Sequence, residues 1–246
     1  MTTQSHRQGA PVPRATFTNL PDDKRQRFIN AALIEFSDRP YDQASISRIV
    51  ARIGIAKGSV YQYFGGKMDL FSWLVEKSGH RKMAAVTAQP PPAEADLFAR
   101  LRWIYLQGLV FMTRQPRWAR IGLRAMEPSL DPGMAAMRRK HTSAAHSFLR
   151  AQLAQGQEEG AIRSDLDLDV VVPLVYGLLS EGLLGSFLRR AGVDDPLDPA
   201  VSAMSDEDAL AVIDAALSML QSGLGIRGSG VKILASSGVD NVACGL

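Results

Sequence analysis

Apolar residues recur along most of this chain at helical spacing. Ile29, Ala32, Leu33 and Phe36 fall at i, i+3, i+4 and i+7, the pattern of one buried helix face. Pro21 with Asp22 and Asp23 marks the start of that helix, since free first-turn amides favour negative charge, and Pro40 marks its stop. The same spacing returns at Ile46, Ile49, Val50 and Ile53. Ser45 precedes this second run, with its hydroxyl placed to cap it, and Gly54 follows, where a left-handed turn would end it. After only Ile55 and Ala56, a third short helix is predicted over 57–64, with Val60 and Phe64 on its buried side. Gly65 and Gly66 break it, and a longer amphipathic helix follows over 67–86 with Leu70, Phe71, Leu74 and Val75 inward.

Pro90, Pro91 and Pro92 form the clearest boundary, because proline stiffens the chain and cannot continue a helix. Beyond it the periodicity predicts helices at about 94–114, 117–127, 132–159, 168–191 and 206–223. Only 231–234 hints at a strand, and no internal repeat is evident, so the fold is read as all-α. The polar segment 1–20, with Pro11, Pro13, His6, Arg7 and Arg14, reads as a mobile basic arm. The Gly- and Ser-rich stretch 225–246 reads as a tail, either disordered or weakly packed.

Composition adds bounds. A chain of 246 residues with 46% hydrophobic and 22% charged residues is ordinary for a globular protein and long enough to bury a core without a staple. Its one cysteine, Cys244, allows no disulfide within the chain and suggests a reducing, cytoplasmic setting. The first twenty residues lack the apolar core of a secretion signal. The best candidate for a membrane span, 170–188, is interrupted by Pro173, Gly177, Glu181, Gly182 and Gly185, so no membrane partner is expected. Charge is uneven: residues 1–88 hold 13 Lys and Arg against 7 Asp and Glu, a net of +6, while the remainder carries −3. A basic third on a mildly acidic body suggests that one part meets a polyanion.

Two short helices joined by a tight Gly-containing turn are the helix-turn-helix arrangement. The first braces against the backbone of DNA; the second is short enough to enter a major groove about 12 Å wide. The outer face of 57–64 carries Lys57, Ser59, Tyr61 and Gln62, all able to hydrogen-bond, while Gly58 permits close backbone approach. Tyr63 and Lys67 flank the C-terminal end, placed to hold phosphates. On residue type alone, Tyr61 and Tyr63 also suit helix packing, Lys57 and Lys67 suit solvated surface, and Gln62 suits water as well as a base. The basic setting tips the two lysines, Tyr61 and Tyr63 towards DNA, with part of the Tyr63 ring also free to pack, and leaves Gln62 open between a base and water.

The run SISRIVARIGIAKGSVYQYFGGKMDL from Ser45 resembles the DNA-binding region of the TetR family of bacterial transcriptional regulators. The likeness covers about residues 24–71. It rests on AALIEF in the first helix, Gly54, Lys57-Gly58-Ser59, Tyr61-x-Tyr63-Phe64, and Lys67 followed by Leu70. It implies a three-helix helix-turn-helix domain followed by a larger helical ligand-binding and dimerisation domain. It further implies a homodimer on a palindromic operator of double-stranded DNA, with repression relieved by a small molecule. Lys57, Ser59, Tyr61 and Gln62 match positions that face DNA, Gly58 a close-approach position, and Ser45, Tyr63 and Lys67 positions that touch phosphate. Where the family often has Ser or Thr before Lys-Gly, this chain has Ala56, so no hydroxyl cap is expected there.

On this reading the chain divides into an arm (1–20), a DNA-binding domain (21–66), a connecting helix (67–88), a helical effector and dimer domain (89–224) and the tail. The helices over 168–191 and 206–223 are expected to form the dimer face. A pocket for a small apolar or aromatic effector is expected among Trp103, Tyr105, Phe111, Met112, Trp118, Met126 and Met137, where polarizable and aromatic side chains concentrate. Other signals fail. Gly65-Gly66-Lys67 lacks the spacing of a phosphate loop, and His141 and His146 lie five apart where a helical metal pair wants four. Asp165, Asp167 and Asp169 alternate like a calcium loop, but Val170 and Tyr176 replace its Gly and Glu, which leaves a helix-start role. Gly228-Ser229-Gly230 has no strand or matched His. No catalytic, metal or cofactor site is expected. The rival readings are a helical ligand-binding protein without DNA activity and an all-α enzyme using the C-terminal cavity.

Overall fold

A computed structural model describes residues 13–225 apart from 89 and 197. Its first part comprises α1 (Ala15–Thr18), α2 (Asp22–Asp38), a 3-10 turn (Tyr41–Gln43), α3 (Ile46–Ile53), α4 (Lys57–Tyr63) and α5 (Lys67–Thr87). The second comprises α6 (Leu97–Arg114), α7 (Pro116–Arg124), α8 (Pro132–Glu158), α9 (Leu168–Gly177), a π-helical turn (Leu178–Gly182), α10 (Leu183–Ala191), α11 (Pro199–Ser202) and α12 (Asp206–Leu224). Among the described residues there is no strand, only one antiparallel bridge between Ile162 and Gly225. The possible strand at 231–234 and most of the tail lie outside the described residues.

The apolar stripes bury as their spacing predicts. Ala32, Phe36, Ile49, Val60, Leu70, Phe71 and Leu74 have no exposed surface. Each large side chain so buried contributes about 1.5–3 kcal/mol. This first core does not stop at the proline-rich break, because Ile121 and Ala125 on α7 and Met134 and Met137 on α8 complete it. A second core gathers Leu97, Leu101, Leu153, Ile162, Leu179 and Ile213.

Two expectations are corrected. The stretch 13–20 is not a mobile arm: it forms α1, with Phe17 1% exposed against Phe28, Tyr63, Phe64 and Trp73. Residues 1–12, including His6 and Arg7, lie outside the described residues. Nor is the apolar stretch 170–188 interrupted: it lies within one helical path over 168–191, the range its periodicity predicts. Pro173 sits inside α9, and the helical path continues through the π turn into α10, giving 24 residues long and apolar enough to cross a membrane by length and composition. Its inward residues Val172, Val175, Leu179, Leu183 and Phe187 belong to the second core. Its start follows the helix-start reading, with the Asp167 carboxylate accepting from Asp169 N at 2.9 Å.

Candidate nucleic-acid interface and ligand cleft

The helix-turn-helix is held by backbone chemistry at its turn and by burial behind it. Gly54 takes φ 71°, ψ 34°, the left-handed conformation glycine adopts without steric cost. Its N–H and that of Ile55 both donate to the Val50 carbonyl, closing the last turn of α3. Val60 and Phe64 anchor the rear of α4, at 0% and 2% exposure. The carboxylate of Glu35, only 3% exposed, ties α2 to the start of α3. It accepts from Ser45 N at 2.9 Å and from Arg48 Nε at 2.8 Å. Ser45 is therefore not the hydroxyl cap expected, since its side chain makes no capping bond and its backbone amide goes to Glu35.

The outward face of α4 is as the sequence predicts. Lys57, Gly58 and Gln62 are exposed, Tyr61 is 46% exposed, and Ser59 is half-buried. A Cβ added at Gly58 would meet nothing within 4 Å, so packing within the chain does not require glycine there. Ala56 occupies the N-cap position of α4 without a side-chain bond. Tyr63 is half-buried, its ring 5.7 Å from Phe17 and 5.6 Å from Phe28, which makes it a packing residue at least in part. Lys67 departs furthest from expectation. Its ammonium donates to the carbonyls of Tyr41 at 2.8 Å and Ala44 at 3.3 Å, and lies 4.2 Å above the Tyr41 ring. It is folded onto the protein rather than presented to a phosphate. Sequence reasoning missed the contribution of Arg14, Thr16 and Phe17, which close against the far end of α4. The available signal was Phe17 with Leu20 three positions on, large apolar residues in a largely polar stretch.

The residues expected to line a pocket do not gather around one cleft. A cleft of about 680 Å³ opens between α8 and α9, and of the expected lining residues only Met126 reaches it. Phe111 and Met137 are buried, Met137 in the first core. Trp118 packs on that core beneath the Arg81 guanidinium, Met112 and Tyr105 pack on the second, and Trp103 is half-buried on α6. The cleft is lined by apolar residues (Leu168, Val172, Pro173, Tyr176) and by Arg138, Arg139 and Arg150, with the acids Asp169 and Glu181 among them. The His146 ring meets Tyr176 edge to face at 4.8 Å, and Arg150 pairs with Asp169.

Residues 28–73 match the model of the bacterial regulatory proteins, tetR family. A solved structure of a TetR family transcriptional regulator from Chloroflexus aurantiacus is 32% identical, covers 88% of this chain and all of its own, and superposes with a TM-score of 0.72. The chain belongs to the TetR family. Among curated relatives, the transcriptional repressor AcnR of Corynebacterium jeikeium is 26% identical over 78% of this chain and 97% of its own length. The probable acrEF/envCD operon repressor of Escherichia coli K12 is 26% identical over 69% and 79%. The regulator FadR of Bacillus subtilis, solved with stearoyl-CoA, shares the fold at 20% identity and a TM-score of 0.61, covering 81% of this chain and 98% of its own.

In this TetR-family chain a polar seam joins the DNA-reading part to the body. Arg117 donates to Ser37 Oγ at 2.9 Å and pairs with Asp38 at 2.8 Å. Arg124 donates to the Ser37 carbonyl at 3.1 Å while pairing with Glu127. Ser129 donates to Asp42 at 2.7 Å, and the Tyr41 hydroxyl donates to Asp131 at 3.3 Å. Burial, with Asp131 beside it, pushes the Tyr41 phenol well above its usual range. Apolar surface remains open elsewhere: Val170 and Leu174 on α9 and Met219 on α12 are 57%, 69% and 66% exposed. A groove of about 290 Å³ runs between α10 and α12, lined by Leu178, Leu183, Val212 and Met219.

Proposed function

We propose that this TetR-family protein is a homodimeric repressor that binds a palindromic operator and leaves it when a small molecule binds. The observation that carries the reading is α4, with Lys57, Gly58, Tyr61 and Gln62 outward over a rear sealed by Val60 and Phe64. Lys57 holds phosphate, and Tyr61 and Gln62 address base edges with Ser59 beside them. A second copy covers the apolar faces of α9, α10 and α12, which places two reading helices ~34–36 Å apart, one turn of DNA. The protein works in the cytoplasm, where its operator is.

The effector binds in the cleft between α8 and α9. Its apolar residues suit an apolar body, and Arg138 and Arg139, which outnumber the acid left over once Arg150 pairs with Asp169, suit a negatively charged group on it, a more polar ligand than the composition alone suggests. Stearoyl-CoA, bound by the Bacillus subtilis regulator, has that two-part chemistry and supports the class rather than the compound. By preferring a dimer whose reading heads are wrongly spaced, the effector lowers the population competent for DNA.

Fluorescence anisotropy with duplexes from upstream of the protein's own gene tests the DNA reading. Tyr61→Ala is expected to lose roughly 1–2 kcal/mol of preference for operator over random duplex, with little change on random DNA. A wild-type protein that favours no upstream sequence over random DNA overturns the proposal.

A further inference from the structure

The recognition helix α4 has only seven residues, and its last carbonyls, those of Tyr61, Gln62 and Tyr63, lie beyond the reach of its own amides. All three are satisfied by one short stretch from the start of the described chain. Arg14 N donates to the Tyr63 carbonyl at 2.9 Å, Arg14 Nη1 to the Tyr61 carbonyl at 2.7 Å, and Thr16 Oγ1 to the Gln62 carbonyl. Phe17 fixes the stretch in place, its ring 5.0 Å from Phe64 and 5.4 Å from Trp73. The recognition helix is thus capped from outside, by residues some 47 positions upstream.

Arg14 is more than a cap. It is exposed, and no acidic side chain pairs with it among the described residues. A guanidinium has five N–H donors in a rigid fork, and the Tyr61 carbonyl takes one direction of it. Its charge therefore stands at the end of α4, beside the outward Tyr61 that the DNA-binding reading places in the groove.

We propose that Arg14 is a DNA-backbone contact, gripping a phosphate at the groove edge with the same guanidinium that holds the end of the recognition helix. The proposal rests on the DNA-binding reading above and extends the interface to a segment outside the helix-turn-helix. A carbonyl and a phosphate are compatible acceptors on different edges of one fork, and a cation at a helix C-terminus is favourable before DNA arrives. The contact then fixes the angle at which α4 enters the groove, because moving the phosphate bond moves the cap.

Two substitutions separate charge from capping. Arg14→Gln keeps an N–H donor for the Tyr61 carbonyl and removes the charge; Arg14→Lys keeps the charge and loses the fork. Both keep the backbone amide that bonds Tyr63. Affinity for operator and for random duplex is measured between 50 and 200 mM salt, with thermal melts to confirm the fold. For Arg14→Gln the log–log salt slope of the dimer is expected to fall in magnitude by about 1.8, about 0.9 for each protomer's contact, so the wild-type advantage shrinks about 12-fold across that range on both duplexes. Arg14→Lys is expected to retain the wild-type slope. If Arg14→Gln melts like or below wild type yet keeps the full slope, Arg14 touches no phosphate and the proposal is overturned. A wild-type protein with no duplex binding at any salt fails the underlying DNA reading instead, a result distinguishable without any variant.

Discussion

Lys67 shows how a cation beside a DNA-reading helix can serve the fold. With its ammonium on two carbonyls and over the Tyr41 ring, it ties the first turn of α5 to the 3-10 turn before α3. Lys67→Met keeps the apolar stem but leaves the carbonyls of Tyr41 and Ala44 without that donor. Denaturant melts are expected to show a loss of about 1–2 kcal/mol, while the salt slope of operator binding stays at the wild-type value. A slope reduced by about two units, one for each protomer, would return Lys67 to the phosphate role that its position suggests. Glu35 makes the complementary point. An acid in the last turns of α2 reads as surface, yet only 3% of it is exposed, because the amide of Ser45 and the Arg48 guanidinium converge on it.

Individual helices carry the case for pairing of two copies. Leu174 on α9 and Met219 on α12 expose long apolar side chains on faces that the described residues do not cover. Leu174→Glu with Met219→Glu is expected to convert a dimer into a monomer in sedimentation velocity at micromolar concentration, and to weaken operator binding more than tenfold as the two heads lose their tether. An unchanged sedimentation coefficient would place the interface on another face. The helices themselves were legible to within a few residues, because each has a strong apolar stripe bounded by Gly, Pro or Asp. What escaped was short or long-range. The one-turn α1 has no periodicity to read, and the bonds from Arg14 and Thr16 to the end of α4 join residues more than forty apart. On α4 the outward positions follow from spacing alone, whereas the inward turn of Lys67 depends on where the Tyr41 turn settles. The cleft between α8 and α9 was not legible for a similar reason: bulky residues mark where space is filled, and a cleft is lined by whatever borders the gap.

Across the whole molecule, the cleft and the reading head are joined by a contiguous set of polar contacts. Arg138, on the cleft wall, reaches the Glu127 carbonyl at 3.5 Å; Glu127 pairs with Arg124, and Arg124 holds the Ser37 carbonyl at the end of α2. A ligand that draws Arg138 inward has a route to α2 beside the α5 connection. Decanoate below its micellar range is expected to release operator at lower concentration than decanol does. Arg139→Ala is expected to abolish that difference, as measured by displacement of labelled duplex. Equal potency of acid and alcohol on the wild type would refute an anionic requirement.

The π-helical turn Leu178–Gly182 bears on how these regions stay in step. A widened turn accommodates one residue beyond the ordinary α-helical winding, which rotates everything after it by about 100° relative to everything before. The upper half of this rod therefore offers Leu168, Val172 and Tyr176 to the cleft, while the lower half offers Leu183, Ser186 and Arg190 to the groove beside α12. Wound as an uninterrupted α-helix, the same residues would turn the cleft and groove side chains onto one side of the rod. Deleting a single residue there would instead give one regular spiral that keeps the two halves in their present phase, so the widened turn is a one-residue insertion that the faces of the rod tolerate.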